Sequence, residues 1–294
     1  MKKRISAVIF AHNDQDKISN CISSILPLTK NIFLLDIGST DKTSTIAEQL
    51  GIKVYKAKFV QYVELVREKG IKLADTQWVL LLDADETVSE ELGREIKDII
   101  SGPVNRTNSK FEIRNSKQIK NSNFKNSKIV SDFVLRASSF ISGYWIQRKN
   151  LFAGKKWLKH GGWWPDYQIR LINRDFFAAW PKQIHSTPII KGECGYLINP
   201  IVHFFHGDFE NMVNKTLIFE DIESDLLYKA GRTANQMTFV RKFLGEFYRR
   251  LFKNLGFLDG PIGIIEGIYQ SFSKTITYLF LYEKKKNRTV QPIS

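Results

Sequence analysis

Short apolar runs alternate with helix-like segments through the first hundred residues, and this alternation limits the fold more than any other feature. The runs cover residues 5–10, 32–35, 53–55 and 78–82. Between them, apolar residues recur at the spacing of an amphipathic helix. Strands without a polar side belong to sheets that are covered on both faces. We therefore predict an α/β fold, with a Rossmann-like, mostly parallel sheet and helices on both faces.

Polar side chains follow three of these runs, at the point where each predicted strand ends. His12 and Asn13 follow the first run, Asp36 ends the second, and Asp83-Ala84-Asp85 ends the fourth. Ligands of open parallel sheets bind at the carboxyl ends of the strands. The sequence has neither GxGxxG nor GxxxxGK[ST], which argues against a dinucleotide fold and against a P-loop kinase. The strand ends are therefore the predicted binding site.

The pair Asp83 and Asp85 is the sharpest of these signals. Mg²⁺ and Mn²⁺ prefer oxygen ligands and use one or two carboxylates together with substrate phosphates. One carboxylate of the pair can bind such an ion while the other meets a ribose. The alternative is a pair of acids that cap the helix after Ser89. Asp36, at another strand end, favours the interpretation as a metal and nucleotide site.

Three segments resemble motifs of the family 2 glycosyltransferases, which have the GT-A fold. LLDIGSTDKT is similar to the D-x-G-S-T-D-x-T element, WVLLLDADE to the strand with its DxD motif, and REKGIKLA to the R-N-x-G-x-x-x-A helix. Ile37 and Glu68 depart from the family pattern. The resemblance implies a nucleotide-sugar donor, expected to be UDP-linked, and Mg²⁺ or Mn²⁺ as cofactor.

The resemblance also implies roles for single residues. Asp36 is expected to recognise the nucleobase, Asp83 to contact the ribose and Asp85 to hold the metal, while Arg67 lies near the diphosphate. The full set expected to bind the nucleotide sugar is Ala11, His12, Asn13, Asp36, Arg67, Asp83 and Arg170.

A segment of the second half, GGWWPDYQIRL, is similar to the G-G-W-x-P-D-x-x-x-R-L segment of the lipopolysaccharide-core (WaaE/KdtX-like) branch of this family. That resemblance implies that Asp166 is the catalytic base of an inverting transfer. The alternative is a turn acid after Pro165. Trp163 and Trp164 are expected to contact the acceptor, although core packing is the alternative for tryptophans in this segment.

Two histidines, His203 and His206, lie in the segment 201–206, and His203 lies within its strand-like part. GT-A enzymes often complete the metal site with a residue from this region, so the resemblance implies that His203, with Asp85, is a metal ligand. A structural histidine is the commoner general case.

The net charge of +14 is concentrated in two segments. Residues 105–130 hold five lysines, two arginines and one glutamate, and residues 230–294 hold eleven basic and four acidic residues. Such concentration favours a membrane surface or plain solvation over nucleic acid, so no nucleic-acid partner is predicted. Residues 102–140 are rich in Asn, Ser and Lys, which favours a tolerated surface insertion over a basic arm that contacts lipid or acceptor.

The C-terminal region has the pattern of basic amphipathic helices. Residues 237–256 alternate large apolar and basic groups, and residues 262–281 are apolar but interrupted by charge. Such helices lie in a membrane interface and do not cross it, and no uninterrupted apolar window of transmembrane length occurs. We predict binding to an anionic membrane surface, with docking on the catalytic domain as the alternative. Two cysteines in a chain of this length indicate a reducing compartment.

These observations predict four segments: a nucleotide-sugar-binding half (1–101), the insertion (102–140), an acceptor and catalytic half (141–230) and the C-terminal helices (231–294). The predicted function is inverting glycosyl transfer to a hydroxyl of a lipid-linked glycan, at the cytoplasmic face of the membrane. A polyprenyl-phosphate glycosyltransferase is one alternative. A non-catalytic basic protein that binds membrane or nucleic acid is the other.

Overall fold

The structure, a computed structural model, describes residues 4–101, 141–205 and 209–289. Its contacts divide the chain into two compact units, one formed by Met1–Arg148 and Tyr167–His203, the other by Lys149–Asp166 and Phe204–Ser294. Each unit is described by itself. The predicted insertion, residues 102–140, lies outside the described residues. The division into four segments stays a prediction.

The strands, in chain order, are β1 (Ile5–Ala11), β2 (Ile32–Ile37), β3 (Lys53–Ala57), β4 (Trp78–Asp83), β5 (Glu86–Val88), β6 (Ile141–Phe152), β7 (Lys156–Trp157), β8 (Tyr167–Asn173), β9 (Phe177–Ala179), β10 (Ile189–Ile190), β11 (Glu193–Tyr196) and β12 (Ile201–Phe205). The helices are α1 (Ile18–Ile25), α2 (Thr43–Gln49), α3 (Glu64–Leu73), α4 (Glu90–Ser101), α5 (Phe209–Lys229), α6 (Gln236–Tyr248) and α7 (Pro261–Thr289).

The first unit is built on a mixed sheet. Strands β3, β2, β1 and β4 lie side by side and run parallel. Strand β8 then pairs antiparallel with β4, and β6 pairs antiparallel with β8. Each parallel step is connected through a helix, which is the βαβ connection that parallel neighbours require.

The sheet is covered on both faces because successive side chains of its strands point to opposite sides. Along β1, Ile5, Ala7 and Ile9 join the core beneath α1 and α4, while Val8 and Phe10 join a second core with α3. Helix α1 buries residues at the spacing that one helix face requires: Ile18, Cys21, Ile22 and Ile25. The predicted α/β fold, with a mostly parallel sheet, helices on both faces and C-terminal helices, is confirmed.

The second unit is mainly helical. It begins with the hairpin between the last residues of β6 and β7 and continues through a loop to Asp166. Helix α7 is its long central element and packs along both α5 and α6. Ser273 and Thr277 of α7 donate hydrogen bonds to Glu220 of α5, which fixes the register between these two helices.

The helix predicted over 237–256 ends earlier than the pattern suggests. Helix α6 stops at Tyr248 and passes into a π-helical turn, Arg249–Lys253. Leu255 then adopts a left-handed conformation with φ 56°, which α-helices do not tolerate in their interior. The chain therefore turns sharply here, and a separate helix, α7, begins at Pro261. Among the described residues, no helix is both long and apolar enough to cross a membrane.

A close helix–sheet contact at Gly70 generates a first prediction. Gly70 lies within α3, and a β-carbon at this position would stand 2.5 Å from the ring of the buried Phe10. Alanine improves helix propensity by about 1 kcal/mol, but overpacking of a core costs about 1–3 kcal/mol. We therefore expect Gly70→Ala to lower the free energy of unfolding, measured with urea.

Gly93→Ala is the matched control. Gly93 lies within α4, and its added β-carbon would meet only Val88, at 3.9 Å. Helix propensity then acts alone, so we expect Gly93→Ala to be neutral or to stabilise by up to about 1 kcal/mol. Equal effects of the two substitutions would contradict the packing of α3 on β1.

Candidate active site

The register of the parallel strands brings the predicted site residues to one edge of the sheet. Ala11 at the end of β1 pairs with Asp36 of β2, and Phe10, one residue earlier, pairs with Asp83 of β4. The strand ends that carry Asp36 and Asp83 therefore flank the end of β1, which continues into His12, while the two side chains leave opposite faces of the sheet, as those of Ala11 and Phe10 do. This row of strand ends is the binding edge that the sequence predicts.

The loops after β1 and β2 form one hydrogen-bonded cluster. Asp36 is only 3% exposed, and its carboxylate accepts bonds from the Ser39 amide (3.0 Å) and the Ser44 hydroxyl (2.7 Å). The amide oxygen of Asn13 accepts the Thr40 N–H at 2.8 Å. His12 Nδ1 lies 2.9 Å from the Ile37 carbonyl oxygen. His12, Asn13 and Asp36 thus fix the shape of the loop that follows β2.

Phe59 is a residue of this site that sequence reasoning missed. Its side chain is 57% exposed, and its ring centroid lies 4.8 Å from that of His12. Gly38, at φ 70°, approaches it so closely that a β-carbon would stand 3.1 Å from the Phe59 nitrogen. An exposed aromatic face beside Asp36 suits a planar ring. A single phenylalanine after β3 has no periodicity or motif that could have signalled this position.

Asp83 is held between two arginines. Arg67 donates through one nitrogen to both carboxylate oxygens, at 2.7 and 2.9 Å, and Arg170 donates to Oδ2 at 2.7 Å. Both guanidinium groups are buried, whereas 28% of the Asp83 side chain remains exposed. Arg67 is fixed further by the rings of Phe10 and Trp180, at 4.8 and 5.7 Å from its guanidinium carbon.

These contacts decide the protonation state of Asp83. Burial alone would raise the pKa of its carboxyl, but the charges of Arg170 and Arg67 outweigh burial and hold the pKa well below its usual range. Asp83 is therefore a carboxylate at any physiological pH. It can accept hydrogen bonds from hydroxyl groups and cannot donate one.

Glu86 extends the same network and was not singled out from the sequence, although it directly follows the acidic pair. It is fully buried, accepts the Asp83 amide at 3.0 Å and binds Arg170 at 2.6 Å. Arg148 lies 3.7 Å from its carboxylate. A buried charge of this kind is tolerated only when it is paired, so Glu86 and Arg170 depend on each other.

Asp85 and His203 come together through the pairing of β5 and β12. His203 is the register partner of Glu86, and its Nε2 lies 3.6 Å from Asp85 Oδ1. Burial would raise the pKa of Asp85, but His203 outweighs burial and lowers it to about 2. The structure therefore joins the two residues predicted as metal ligands. His206, the other candidate histidine, lies outside the described residues.

Asp85 and His203 are the side chains that could hold the expected Mg²⁺ or Mn²⁺. Within the described part of the chain, no group of three or more His, Cys, Asp or Glu side chains is placed to hold a metal ion. Asp85 and His203 offer an oxygen and a nitrogen. Ions of this kind bind through one or two protein carboxylates when substrate phosphates supply further ligands. The residues fit an ion that arrives with a phosphate-bearing ligand.

Glu68 stands where the family pattern usually has asparagine, next to Arg67. It binds Lys72 one helical turn later and accepts the Trp180 amide at 3.1 Å. These bonds hold the pKa of the Glu68 carboxyl below its usual value. Its negative charge is thus committed to Lys72 and Trp180.

Asp166 belongs to the second unit, where a buried amide orients it. Asn150 is fully buried, and its side-chain nitrogen donates to Asp166 Oδ2 at 3.0 Å and to the Trp163 carbonyl at 3.1 Å. Asn150 is the second residue that sequence reasoning missed, because an asparagine in a strand carries no motif. It ties the Trp163–Asp166 loop to β6.

The two tryptophans of this loop have aromatic neighbours and remain partly exposed. The Trp163 ring lies 4.7 Å from Phe205, and the guanidinium of Arg250 lies 5.3 Å from its centroid. Trp164 meets Trp157 edge to face at 5.2 Å. Both rings are therefore oriented by neighbours, and their predicted contact with an acceptor stays a prediction.

Comparison with known proteins supports this picture. The family model of glycosyl transferase family 2 matches residues 6–177. An uncharacterized glycosyltransferase of Rickettsia conorii is 23% identical over 300 residues, which cover 98% of this chain and 94% of the relative. A second, from Rickettsia typhi, is 24% identical over 299 residues, 98% of this chain and 90% of the relative.

Two solved structures show weaker likeness. The first is S. aureus TarS 1–349 in complex with UDP-GlcNAc, with 14% identity, 97% of this chain and 92% of that chain covered, and a TM-score of 0.44. The second is glucosyl-3-phosphoglycerate synthase from Mycobacterium tuberculosis in complex with Mn²⁺ and UDP-Glc, with 13% identity, coverage of 80% and 81%, and a TM-score of 0.42.

The family match spans more than half of the chain and contains Asp36, Arg67, Asp83, Asp85 and Asp166. The chain belongs to glycosyl transferase family 2. It is therefore a glycosyltransferase that uses a nucleotide-sugar donor, and the row of strand ends is its candidate donor site.

The buried ion network generates a second prediction. Arg170→Met keeps an unbranched side chain but removes the guanidinium, which leaves Glu86 buried without its closest partner and removes one partner of Asp83. Breaking a buried pair in this way costs about 3–5 kcal/mol. We expect a loss of this size in the free energy of unfolding, measured with urea at neutral pH.

Arg94→Met is the control, because Arg94 pairs with Glu91 where both side chains are largely exposed. An exposed pair contributes at most about 1 kcal/mol. A loss of only this size for Arg170→Met as well would show that the network around Asp83 does not carry the stability assigned to it.

Proposed function

We propose that the protein transfers a sugar, with inversion of configuration, from a nucleotide-sugar donor to a hydroxyl of a lipid-linked glycan. The proposed acceptor is a lipopolysaccharide core or a similar cell-envelope glycan, as in the lipopolysaccharide-core branch of the family. The proposed place of work is the inner face of the cytoplasmic membrane, with the protein attached peripherally. UDP-linked sugars are the first donors to test.

The row of carboxylates at the strand ends carries the proposal. We propose that Asp36 and the exposed ring of Phe59 face the nucleobase and that Asp83 accepts hydrogen bonds from the ribose hydroxyls. Arg67 and Arg170 support the latter role because they keep Asp83 ionised and fix its orientation. By the resemblance, Arg67 or Arg170 would also lie near the diphosphate that follows the ribose, although Asp83 and Glu86 already pair with both guanidinium groups.

Asp85 and His203 would hold the divalent ion together with oxygens of the diphosphate. Bound there, Mg²⁺ or Mn²⁺ supplies positive charge to the leaving diphosphate. The short Asp85–His203 separation supports this assignment, because it places a carboxylate oxygen and an imidazole nitrogen 3.6 Å apart.

Asp166 is proposed as the general base. The acceptor hydroxyl attacks the anomeric carbon on the face opposite the diphosphate, and its proton passes to the Asp166 carboxylate as the new C–O bond forms. The bond between the anomeric carbon and the diphosphate oxygen breaks, and its electron pair leaves with the nucleotide. The hydrogen bond from Asn150 supports this role because it fixes the carboxylate relative to β6.

The proposed metal site predicts a change in nucleotide binding as well as in turnover. Asp85→Ala should abolish transfer and remove the Mn²⁺ dependence of nucleoside diphosphate binding, measured by thermal shift with and without Mn²⁺. Asp98→Ala, on the exposed side of α4, is the control and should keep both. Normal turnover in Asp85→Ala would contradict the assignment of Asp85 as a metal ligand.

The proposed base predicts a separation of binding from chemistry. Asp166→Asn keeps the shape of the side chain and its bond to Asn150 but cannot take up a proton. We expect transfer to fall by about 10²–10⁴-fold with donor affinity unchanged. Asp175→Asn, an exposed acid after β8, should leave both unchanged.

The same variant distinguishes the acceptor classes. A phosphate acceptor is already ionised and needs no strong base, so nearly full turnover of Asp166→Asn would favour polyprenyl phosphate over a hydroxyl. Absence of any metal-dependent nucleotide binding in the natural protein would favour the non-catalytic alternative.

A further inference from the structure

The second unit exposes far more apolar surface than the first. Most of the large apolar side chains that are exposed in the described residues lie between Leu217 and Tyr282. Single exposed apolar residues are normal, but a contiguous apolar patch marks a binding surface. The arrangement of these side chains along α6, α7 and the turn between them therefore decides what the surface can bind.

Helix α6 is apolar on two sides. Phe239 and Phe243 lie towards α7, where Phe239 meets Tyr282 edge to face at 6.0 Å. Met237, Val240, Leu244 and Tyr248 recur at intervals of three and four residues, which places them on one stripe of the helix, and all four are exposed. Packing against α7 therefore accounts for one side only.

Helix α7 carries a matching stripe. Ile264, Ile268, Phe272 and Leu279 lie on one side of it and are exposed. Between the two stripes is a cavity of about 310 Å³, lined by Phe239, Val240, Phe243, Leu244 and Thr275. Because Thr275 lies one turn from both Phe272 and Leu279, the cavity joins the two stripes into one apolar groove.

The turn between the helices forms an apolar tip. Phe252, Leu255, Phe257 and Leu258 are each 45–55% exposed, although they are separated by only a few residues. The left-handed Leu255 and the short helical turn Gly256–Asp259 set their directions. Lys253, also exposed, lies among them.

The charge around this surface points to its occupant. Residues 236–289 contain ten basic and four acidic residues. Arg249 pairs with Glu246, and Lys274 and Lys284 pair with acids of α5, while Arg241 and Lys253 are exposed. A second copy that bound through the same face would bring positive charge against positive charge. An anionic lipid bilayer offers negative headgroups above an apolar layer, which complements both properties of the surface.

We propose that the apolar tip and the groove between α6 and α7 bind the surface of an anionic lipid bilayer. The tip residues enter the boundary between headgroups and acyl chains, the groove lies against the same boundary, and the basic side chains meet the headgroups. Apolar burial and electrostatic attraction are the two signals that stable peripheral attachment requires.

The same turn also holds the segment that leads to Asp166. Asp259 accepts the amides of Lys159 and His160 at 2.9 and 2.8 Å and lies 2.8 Å from His160 Nδ1. Arg250 donates to the Gly161 carbonyl at 2.9 Å, and the Gly161 amide donates to the Asn254 carbonyl at 2.8 Å. A bilayer bound at the tip would therefore lie next to the loop proposed to meet the acceptor.

The link between the bilayer and the acceptor loop rests on the proposed function, because only a lipid-linked acceptor is presented at the bilayer surface. Binding of the tip to a bilayer would be the peripheral attachment that the proposed function includes, but it does not depend on the transfer chemistry. The attachment and the chemistry can therefore fail separately.

The test is co-sedimentation of the full-length protein with vesicles of phosphatidylcholine alone and of phosphatidylcholine mixed with phosphatidylglycerol. We expect binding to the mixed vesicles at low salt and weaker binding at high salt, since the Debye length falls from about 30 Å at 0.01 M to about 3 Å at 1 M. Phe257→Ser/Leu258→Ser should reduce partitioning by about tenfold or more, because each side chain is about half exposed and burial of the two exposed halves contributes about as much as burial of one whole side chain.

Leu26→Ser/Leu50→Ser is the matched control, since both leucines are exposed to a similar degree but lie in the first unit. It should bind vesicles like the natural protein. Thermal melting with and without nucleoside diphosphate verifies that each variant is folded and keeps its donor site.

Three outcomes would overturn the proposal. The first is that the natural protein stays in the supernatant with mixed vesicles at low salt. The second is that the tip variant binds as well as the control. The third is a dimer, seen by light scattering, that the tip variant abolishes, because a second copy would then be the occupant. Vesicle binding that depends on the tip, together with full turnover of Asp166→Asn, would instead refute the proposed base and keep the membrane surface.

Discussion

The ion network centred on Asp83 is the constraint on which the candidate site depends. Two buried guanidinium groups would be costly in the interior of an α/β sheet, and Asp83 and Glu86 neutralise them at bonding distance. The same contacts hold Asp83 ionised and fixed at the end of β4. Stability and the proposed donor binding therefore share these side chains, and the arginines fix the position of Asp83 in addition to any contact with a ligand.

Much of the fold could be predicted because its signals are local. Apolar runs predicted the strands, helical spacing predicted α1 and α4, and the acids at the strand ends were visible in the same pattern, while the resemblance supplied their expected roles. The parallel order then aligned Asp36 with Ala11 and Asp83 with Phe10 without further information. What local patterns predict well is therefore the edge of the sheet, which is also the part that the family match contains.

The parts that could not be predicted depend on partners distant in sequence. The proximity of His203 to Asp85 was expected from the resemblance alone and not from any local pattern, because it requires β12 to pair with β5, across more than one hundred residues of chain. Phe59 and Asn150 carry no motif, and their importance follows from His12 and Asp166 beside them. The early end of α6 follows from the left-handed Leu255, whose conformation no propensity would assign to a leucine.

The C-terminal region forms helices, as its pattern predicts, but the turn between α6 and α7 has a structural role that the pattern does not show. Charge and apolar spacing suggested helices that serve as an anchor, and nothing in that pattern marks Asp259 as special. Its buried carboxylate is the acceptor for two backbone amides and faces the ring of His160. Arg250 and Asn254 add bonds to Gly161, so the turn between α6 and α7 supports the chain that continues to Trp163 and Asp166. Removal of residues 237–294 would therefore take away the support of this loop as well as the apolar tip. A loss of transfer after such a truncation would therefore have two causes, loss of membrane attachment and loss of support for the loop. Point substitutions at Phe257 and Leu258, whose side chains lie at the exposed tip, separate attachment from catalysis.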